Sequence, residues 1–202
     1  MKRVILVLAA AFLCTTAQAQ SLGDLLKSLG GALTSTSEKQ KDEAPKPSYP
    51  TEKDLVGEWT FEQLDIEYTG DDPLASVAIA SAKSQISTLT AQAGLAAGKD
   101  KLHINNDGTL VFTTNGNSVL ARYSYIQPTG TLIVTVEDKS HKAIFTTLVS
   151  KQDGKLRVMF DANELMAIAE ANMPNLKEDG TFVMAKTLVD SYKGILIGGV
   201  FK

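Results

Sequence analysis

Leu55-Val56-Gly57-Glu58-Trp59-Thr60-Phe61 is the stretch on which the reading of this 202-residue chain turns. It holds the only tryptophan, follows a polar linker, and opens everything that has the pattern of folded protein. Residues 55–68 read as one long strand. Trp59 and Phe61 share a face by the period of two, while Leu64, Ile66 and Tyr68 take the opposite parity. Both sets reach one core only if the strand slips by one residue, so the pattern predicts a bulge at Glu62-Gln63.

Downstream, Asp72-Pro73 marks a helix start. Asp72 can accept bonds from the free amides of the first turn, and Pro73 sits where a missing N–H costs nothing. Leu74, Val77, Ala78, Ala82, Ile86, Leu89 and Ala93 form one apolar stripe, which predicts a helix over 73–94, ~33 Å long. Then come turns at Asn106-Asp107-Gly108, Asn115-Gly116, Pro128-Thr129-Gly130, Lys139-Ser140-His141 and Gln152-Asp153-Gly154, spaced about 11 residues apart, the rhythm of hairpin after hairpin. The strands between them read as 100–105, 109–114, 118–126, 131–138, 142–151 and 155–161. Asp161-Ala162-Asn163-Glu164 has capping-box spacing and opens a helix that Pro174 ends. A weaker helical segment covers 182–190, and 195–201 is a last strand in which Gly198-Gly199 permits a kink or close packing. The fold class is mainly β (α+β by content). Its architecture is an eight-stranded antiparallel up-and-down barrel, with a long helix between strands 1 and 2 and a helical segment before the last strand.

Upstream, Lys2 and Arg3 precede an apolar run over 4–13, and Ala17-Gln18-Ala19 follows: a secretory signal peptide over 1–19. The run is about half the length of a spanning helix, so no transmembrane segment is expected. Cleavage leaves 18 basic against 23 acidic side chains, a net charge of −5 that argues against nucleic acid as a partner. The destination is the periplasm or the exterior. Cys14, the only cysteine, follows Leu13 rather than a small residue, which disfavours lipid attachment and leaves the exported protein without a thiol. Residues 20–33 carry Leu22, Leu25, Leu26, Leu29 and Leu33 on one stripe: a short amphipathic helix that packs weakly on its own domain or makes a peripheral or protein contact through 21–33. Residues 34–51, rich in Ser, Thr, Lys and Glu with Pro45, Pro47 and Pro50, read as a flexible linker to a domain over 52–202.

Three stretches carry a resemblance: Leu55-x-Gly57-x-Trp59 ahead of a long helix, Asn106-Asp107-Gly108-Thr109-Leu110-x-Phe112, and Phe160-Asp161-Ala162-x-x-Leu165. Together they resemble a family of secreted bacterial lipocalin-like domains of unknown function, calycin-type barrels. The resemblance implies that Trp59 plugs one barrel end and that Gly57 lets a neighbouring segment approach. Lipocalins often lay an arginine from the last strand over the tryptophan, whereas this strand ends at Lys202. The helix between strands 1 and 2 is similar in placement to the helical lid of fatty-acid-binding proteins.

For chemistry the sequence is sparse. It has no Gly-rich phosphate loop, no G-x-S-x-G elbow and no H-E-x-x-H, so neither an enzyme nor a cofactor is expected. Two histidines and no retained cysteine leave a metal site almost without ligands. His103 alternates with Leu102 and Ile104 and reads as solvated. Glu58, Glu62 and Asp65 read as outward carboxylates. A barrel interior offers a small apolar or amphipathic ligand Tyr123, Tyr125, Phe112, Phe145 and Phe160, with Ile66 and Tyr68 from the first strand. Arg122, if its face points inward, pairs with a ligand carboxylate. Any ligand is expected opposite Trp59, under or beside helix 73–94. The competing expectation is an envelope protein-interaction module with a filled barrel.

Overall fold

Turn chemistry sets the topology. Asn115-Gly116 and Asp153-Gly154 both take positive φ at both positions (49° and 74°, 51° and 75°), the backbone that closes a two-residue hairpin. The structure is a computed structural model and describes residues 49–84, 90, 95–137, 142–172, 177–178 and 180–202. The expected signal peptide, the expected helix over 20–33, residues 34–48 of the expected linker, residues 85–89 and 91–94 of the expected long helix, residues 138–141 and Pro174 lie outside the described residues.

A four-residue helix α1 (Glu52–Leu55) leads into β1 (Gly57–Tyr68), which is followed by helix α2 (Pro73–Ser84). Six strands follow: β2 (Lys101–Ile104), β3 (Thr109–Thr114), β4 (Asn117–Ile126), β5 (Thr131–Glu137), β6 (Lys142–Gln152) and β7 (Lys155–Asp161). Helices α3 (Ala162–Asn172) and α4 (Gly180–Ser191) precede β8 (Ile195–Phe201). The eight strands pair in sequence order, every neighbour antiparallel, and β8 pairs back to β1 to close the barrel. The expected architecture is the one the chain adopts, strand for strand. The bulge is also there: the β1–β8 register shifts between Phe61 and Gln63, so that Phe61, Leu64 and Ile66 are all buried.

Alternation fills the barrel. Leu132 and Val136 on β5, Phe145 and Val149 on β6, and Leu156 and Val158 on β7 point into one core with Phe61, Leu110 and Phe201. β8 is buried along its whole length. Its outer face is spanned by an ion pair from Arg157 on β7 to Asp65 and Glu67 on β1, which lets the strand be apolar on both sides. At Gly198 a Cβ would run into the Val158 carbonyl and the Met159 backbone, so the close packing open to Gly198-Gly199 is realised against β7.

The ends of the barrel differ. At the base, where β1 begins, α1 leads into the strand and Leu55 is fully buried. At the other end, Ile66, Ile79, Leu165, Met166, Val189 and Ile195 form a second cluster that packs α2, α3 and α4 over β1 and β8. Both α2 and α3 start as their caps predict. Asp72 Oδ1 accepts from the Leu74 and Ala75 amides (2.7 and 3.3 Å), and Asp161 Oδ1 accepts from Asn163 and Glu164 (2.8 and 3.2 Å). The face of α2 is a correction. Ala75 and Ile79 are buried while Leu74 and Val77 are about half exposed, at 47% and 48%.

The short β2 explains why α2 lies there. It pairs with Gly57–Thr60 only, leaving the upper half of β1 without a strand on that side. Helical and loop residues fill the gap. Lys83 reaches Asp65 at 3.4 Å, the Leu64 amide faces Thr90 Oγ1 at 3.4 Å, and the Gly98 amide donates to the Phe61 carbonyl at 2.9 Å. The helix flanks the barrel wall.

Candidate functional site

The inward faces of the strands leave a cavity of about 120 Å³ in the barrel. Every side chain in its lining is hydrocarbon, from Phe, Leu, Val, Ala and Ile, beside two glycines. Phe112, Phe145 and Phe160 form part of its wall, and Phe145 and Phe160 meet edge to face at 6.3 Å. Leu165 of α3 and Leu95, from the segment that precedes β2, complete the lining toward the helical end. Leu165 stands in the predicted apolar stripe of its helix. Leu95 has no periodic signal, and only the gap beside β1 brings it inward.

The other candidate residues lie elsewhere. Tyr123 and Tyr125 point into the barrel but toward its base, outside the cavity lining. The Tyr123 hydroxyl donates to the Asn105 carbonyl at 2.6 Å and the Tyr125 hydroxyl to the Pro50 carbonyl at 2.7 Å. Burial pushes both phenols above the ordinary tyrosine value. Ile66 and Tyr68 belong to the helix-packed cluster, where the Tyr68 hydroxyl accepts from the Asp72 amide at 3.3 Å. Arg122 is exposed on the outer face of β4, so this register does not build the inward pairing with a ligand carboxylate.

Trp59 does lie at the base, but half-buried rather than buried. Its Nε1–H donates to the Leu55 carbonyl at 2.8 Å, and the Lys151 ammonium stands 5.7 Å from the ring centroid. The fully buried plug is Leu55. Gly57 has a different reason from the one the resemblance implies. A Cβ there would touch nothing within 4 Å, whereas φ of +147° is a conformation that side chains disfavour.

The carboxylates of β1 are paired around the outside. Glu58 bonds Lys101 at 2.6 Å and Glu62 bonds Lys155 at 2.5 Å, and these bonds hold both carboxyls below the usual range. Asp65 is shared between Arg157 and Lys83. His103 is exposed opposite Glu58 in the β1–β2 register. None of these groups lines the cavity. Among the described residues no three His, Cys, Asp or Glu side chains group as a metal site, and no helix is long and apolar enough to cross a membrane.

One buried polar group, itself outside the cavity lining, escaped the sequence reading. Thr114 follows Leu110 and Phe112 on the inward face of β3 and is 4% exposed. Its Oγ1 has no hydrogen-bond partner among the described residues. Parity with two cavity-lining neighbours was the signal that could have found it.

Neither the curated proteins nor the solved structures provide a match to this chain. The family described as lipocalin-like domain (DUF4923) matches residues 35–202, most of the sequence and the whole of the barrel. The chain belongs to that lipocalin-like domain family.

Proposed function

We propose that this is an exported, non-enzymatic barrel that holds one small apolar or amphipathic ligand in its interior. The observation that carries the reading is the cavity of about 120 Å³ lined by hydrocarbon side chains. Apolar cavities of about 150 Å³ stay dry and admit benzene or xenon, so this one takes a body of about six carbon atoms. The non-enzymatic part is supported by β1, whose carboxylates are each engaged by a cation away from the cavity. Export is supported by the basic start, apolar run and Ala17-Gln18-Ala19 of the first 19 residues. The test is native mass spectrometry with solvent extraction of protein purified from its own envelope, alongside thermal melting in benzene. A copurifying small molecule, or a melting temperature that climbs with benzene as mass action requires, supports the reading. Protein that carries nothing and melts identically in benzene refutes it.

A second reading, contact with a protein partner, is favoured by one observation. Leu120, Ile126, Ile144 and Leu148 lie exposed on the outer faces of β4 and β6, at 64%, 46%, 55% and 39%. Under that reading, Leu120→Ser with Ile144→Ser abolishes a specific cross-link formed in the native envelope and leaves the melting temperature unchanged. An unaltered cross-linking pattern argues against it.

A further inference from the structure

The exposed apolar side chains of β4 and β6 share one outer face, and the chain arrives at the foot of that face. Ile126 and Leu148 flank Thr131 of β5 in a single cross-strand row, and half-buried Ile133 stands in the next. Ile144 and Leu120 lie farther up β6 and β4. With strands about 4.8 Å apart and about 3.3 Å of rise per residue, the patch is roughly 10 Å wide and 20 Å long. Contiguous apolar surface of this kind marks a contact site. Tyr49 and Pro50 fix where the chain enters. A Cβ at Gly130 would overlap the Tyr49 ring, so that ring lies on the turn between β4 and β5. The Pro50 carbonyl accepts the Tyr125 hydroxyl, and the Gly130 carbonyl accepts the Val149 amide at 2.7 Å, one residue from Leu148. The segment ahead of Tyr49 therefore leaves the barrel next to Ile126 and Leu148. Leu74 and Val77 of α2, also exposed, are at the opposite end.

We propose that residues 21–33 of this same chain are the occupant of that face, laid across β4, β5 and β6 on the outside of the barrel. Leu22, Leu25, Leu26, Leu29 and Leu33 fall on one stripe in the sequence. A helix over 22–33 is about 18 Å long, close to the length of the patch. Residues 34–48 then serve as the tether. A flexible chain of about 15 residues has a root-mean-square span of roughly 21 Å and a limit of about 50 Å, so from Tyr49 the arm reaches every part of the face. A tether of that length presents its own arm at an effective concentration on the order of millimolar. A free protein has to outcompete that concentration, which favours the chain's own arm over a separate partner. The partner of the second reading above would have to displace it.

The test puts photoreactive benzoylphenylalanine in the place of Leu26 and maps its cross-links by mass spectrometry. It is run in the native envelope and in purified protein mixed equally from unlabelled and heavy-nitrogen chains. The expected links lie within one chain, to the outer face of β4–β6, and are lost in Ile144→Ser with Leu148→Ser. Links that join labelled to unlabelled chains would make a second copy the occupant, and links to another envelope protein would make it a partner. Either result overturns the inference, as do links that fall away from this face. Trypsin gives a second readout that does not rest on the face variant. Cleavage after Lys27, inside the arm, is expected to run about tenfold slower than cleavage after Lys39 in the tether, because it follows the undocked population. Leu25→Ser with Leu29→Ser, changes confined to the arm, is expected to remove that difference while the barrel melts as before. Equal cleavage at the two lysines in the parent chain overturns the inference.

Discussion

The two ends of the barrel solve the same problem in opposite ways. At the base, Leu55 fills the opening and the polar atoms around it are paired at short range. Tyr125 ties to Pro50, Tyr123 to Asn105 and Trp59 to Leu55, and Asp54 accepts from the Thr51 hydroxyl at 2.6 Å. The helical end is closed by apolar side chains from three helices, and next to it lie the cavity and a hydroxyl without a partner among the described residues. The contrast teaches where the proposed ligand belongs. The aromatic hydroxyls that look like ligand anchors are staples of the architecture. Room for a ligand exists where the wall is plain hydrocarbon.

The sharpest way to break this contrast is to remove the plug. Leu55→Ala deletes a fully buried side chain at the base and is expected to cost about 2–5 kcal/mol, the range for a core leucine that leaves a void. Urea unfolding followed by the fluorescence of Trp59, the only tryptophan, measures it. Benzene affinity of the folded fraction is expected to persist, since Leu55 is not part of the cavity wall. A base variant that lost stability and binding together would merge the two ends into one unit.

Next in size are the staples. Tyr125→Phe keeps the ring and removes one hydrogen bond to the segment entering α1, for an expected loss of about 1 kcal/mol. Benzene affinity is expected to stay as in the parent chain. Weakened benzene binding in this variant would tie the base to the cavity.

The same contrast explains what the sequence made legible. Strand order followed from local events: alternation in Leu132, Val134 and Val136, the parity clash between Phe61 and Leu64, and glycines placed for tight turns. Each is written within a few residues. The site depends on partners far apart in the chain. Tyr125 bonds a carbonyl 75 residues away, and no spacing rule connects Tyr125 with Pro50. Arg122 was ambiguous because both faces of β4 are half apolar: Val119 and Ala121 on one, Leu120 and Ile126 on the other. The face of α2 was misread because it packs beside β1, where Ala75 fits closely and the larger Leu74 and Val77 are turned to solvent. A hydrophobic stripe names the apolar face of an isolated helix, and here the room available beside the barrel decided otherwise.

A smaller effect is expected in alkali. The folded pKa values of Tyr123 and Tyr125 are raised by burial above their unfolded value near ~10. The neutral phenols are thus favoured by folding. Their contribution is fully present below about pH 10 and is lost as pH rises from there through the folded values. Melting temperatures measured from about pH 8 to 12 are expected to fall more steeply in the parent chain than in Tyr123→Phe with Tyr125→Phe. Identical slopes would show that alkaline loss arises elsewhere and that the base is not where the titrating staples sit.

The finest discrimination concerns Trp59. Lipocalins often lay an arginine from the last strand on this tryptophan, but here β8 ends beside Lys202, whose backbone pairs with Thr60 (2.7 and 2.9 Å). Lys151 takes the place over the ring from β6, two residues beyond buried Val149 on the inward face. Its ammonium is near enough to the π-face for attraction, and a partly exposed pair of this kind contributes about 0.5 kcal/mol. Lys151→Met keeps the length of the stem and removes the charge. It is therefore expected to cost no more than that, to shift the Trp59 emission, and to leave benzene affinity alone. A cost well above about 0.5 kcal/mol would mean that the lysine stem, more than the charge, covers the ring. An emission spectrum unmoved by the substitution would separate Lys151 from Trp59 altogether, leaving the Leu55 carbonyl as the contact that fixes the indole at the base.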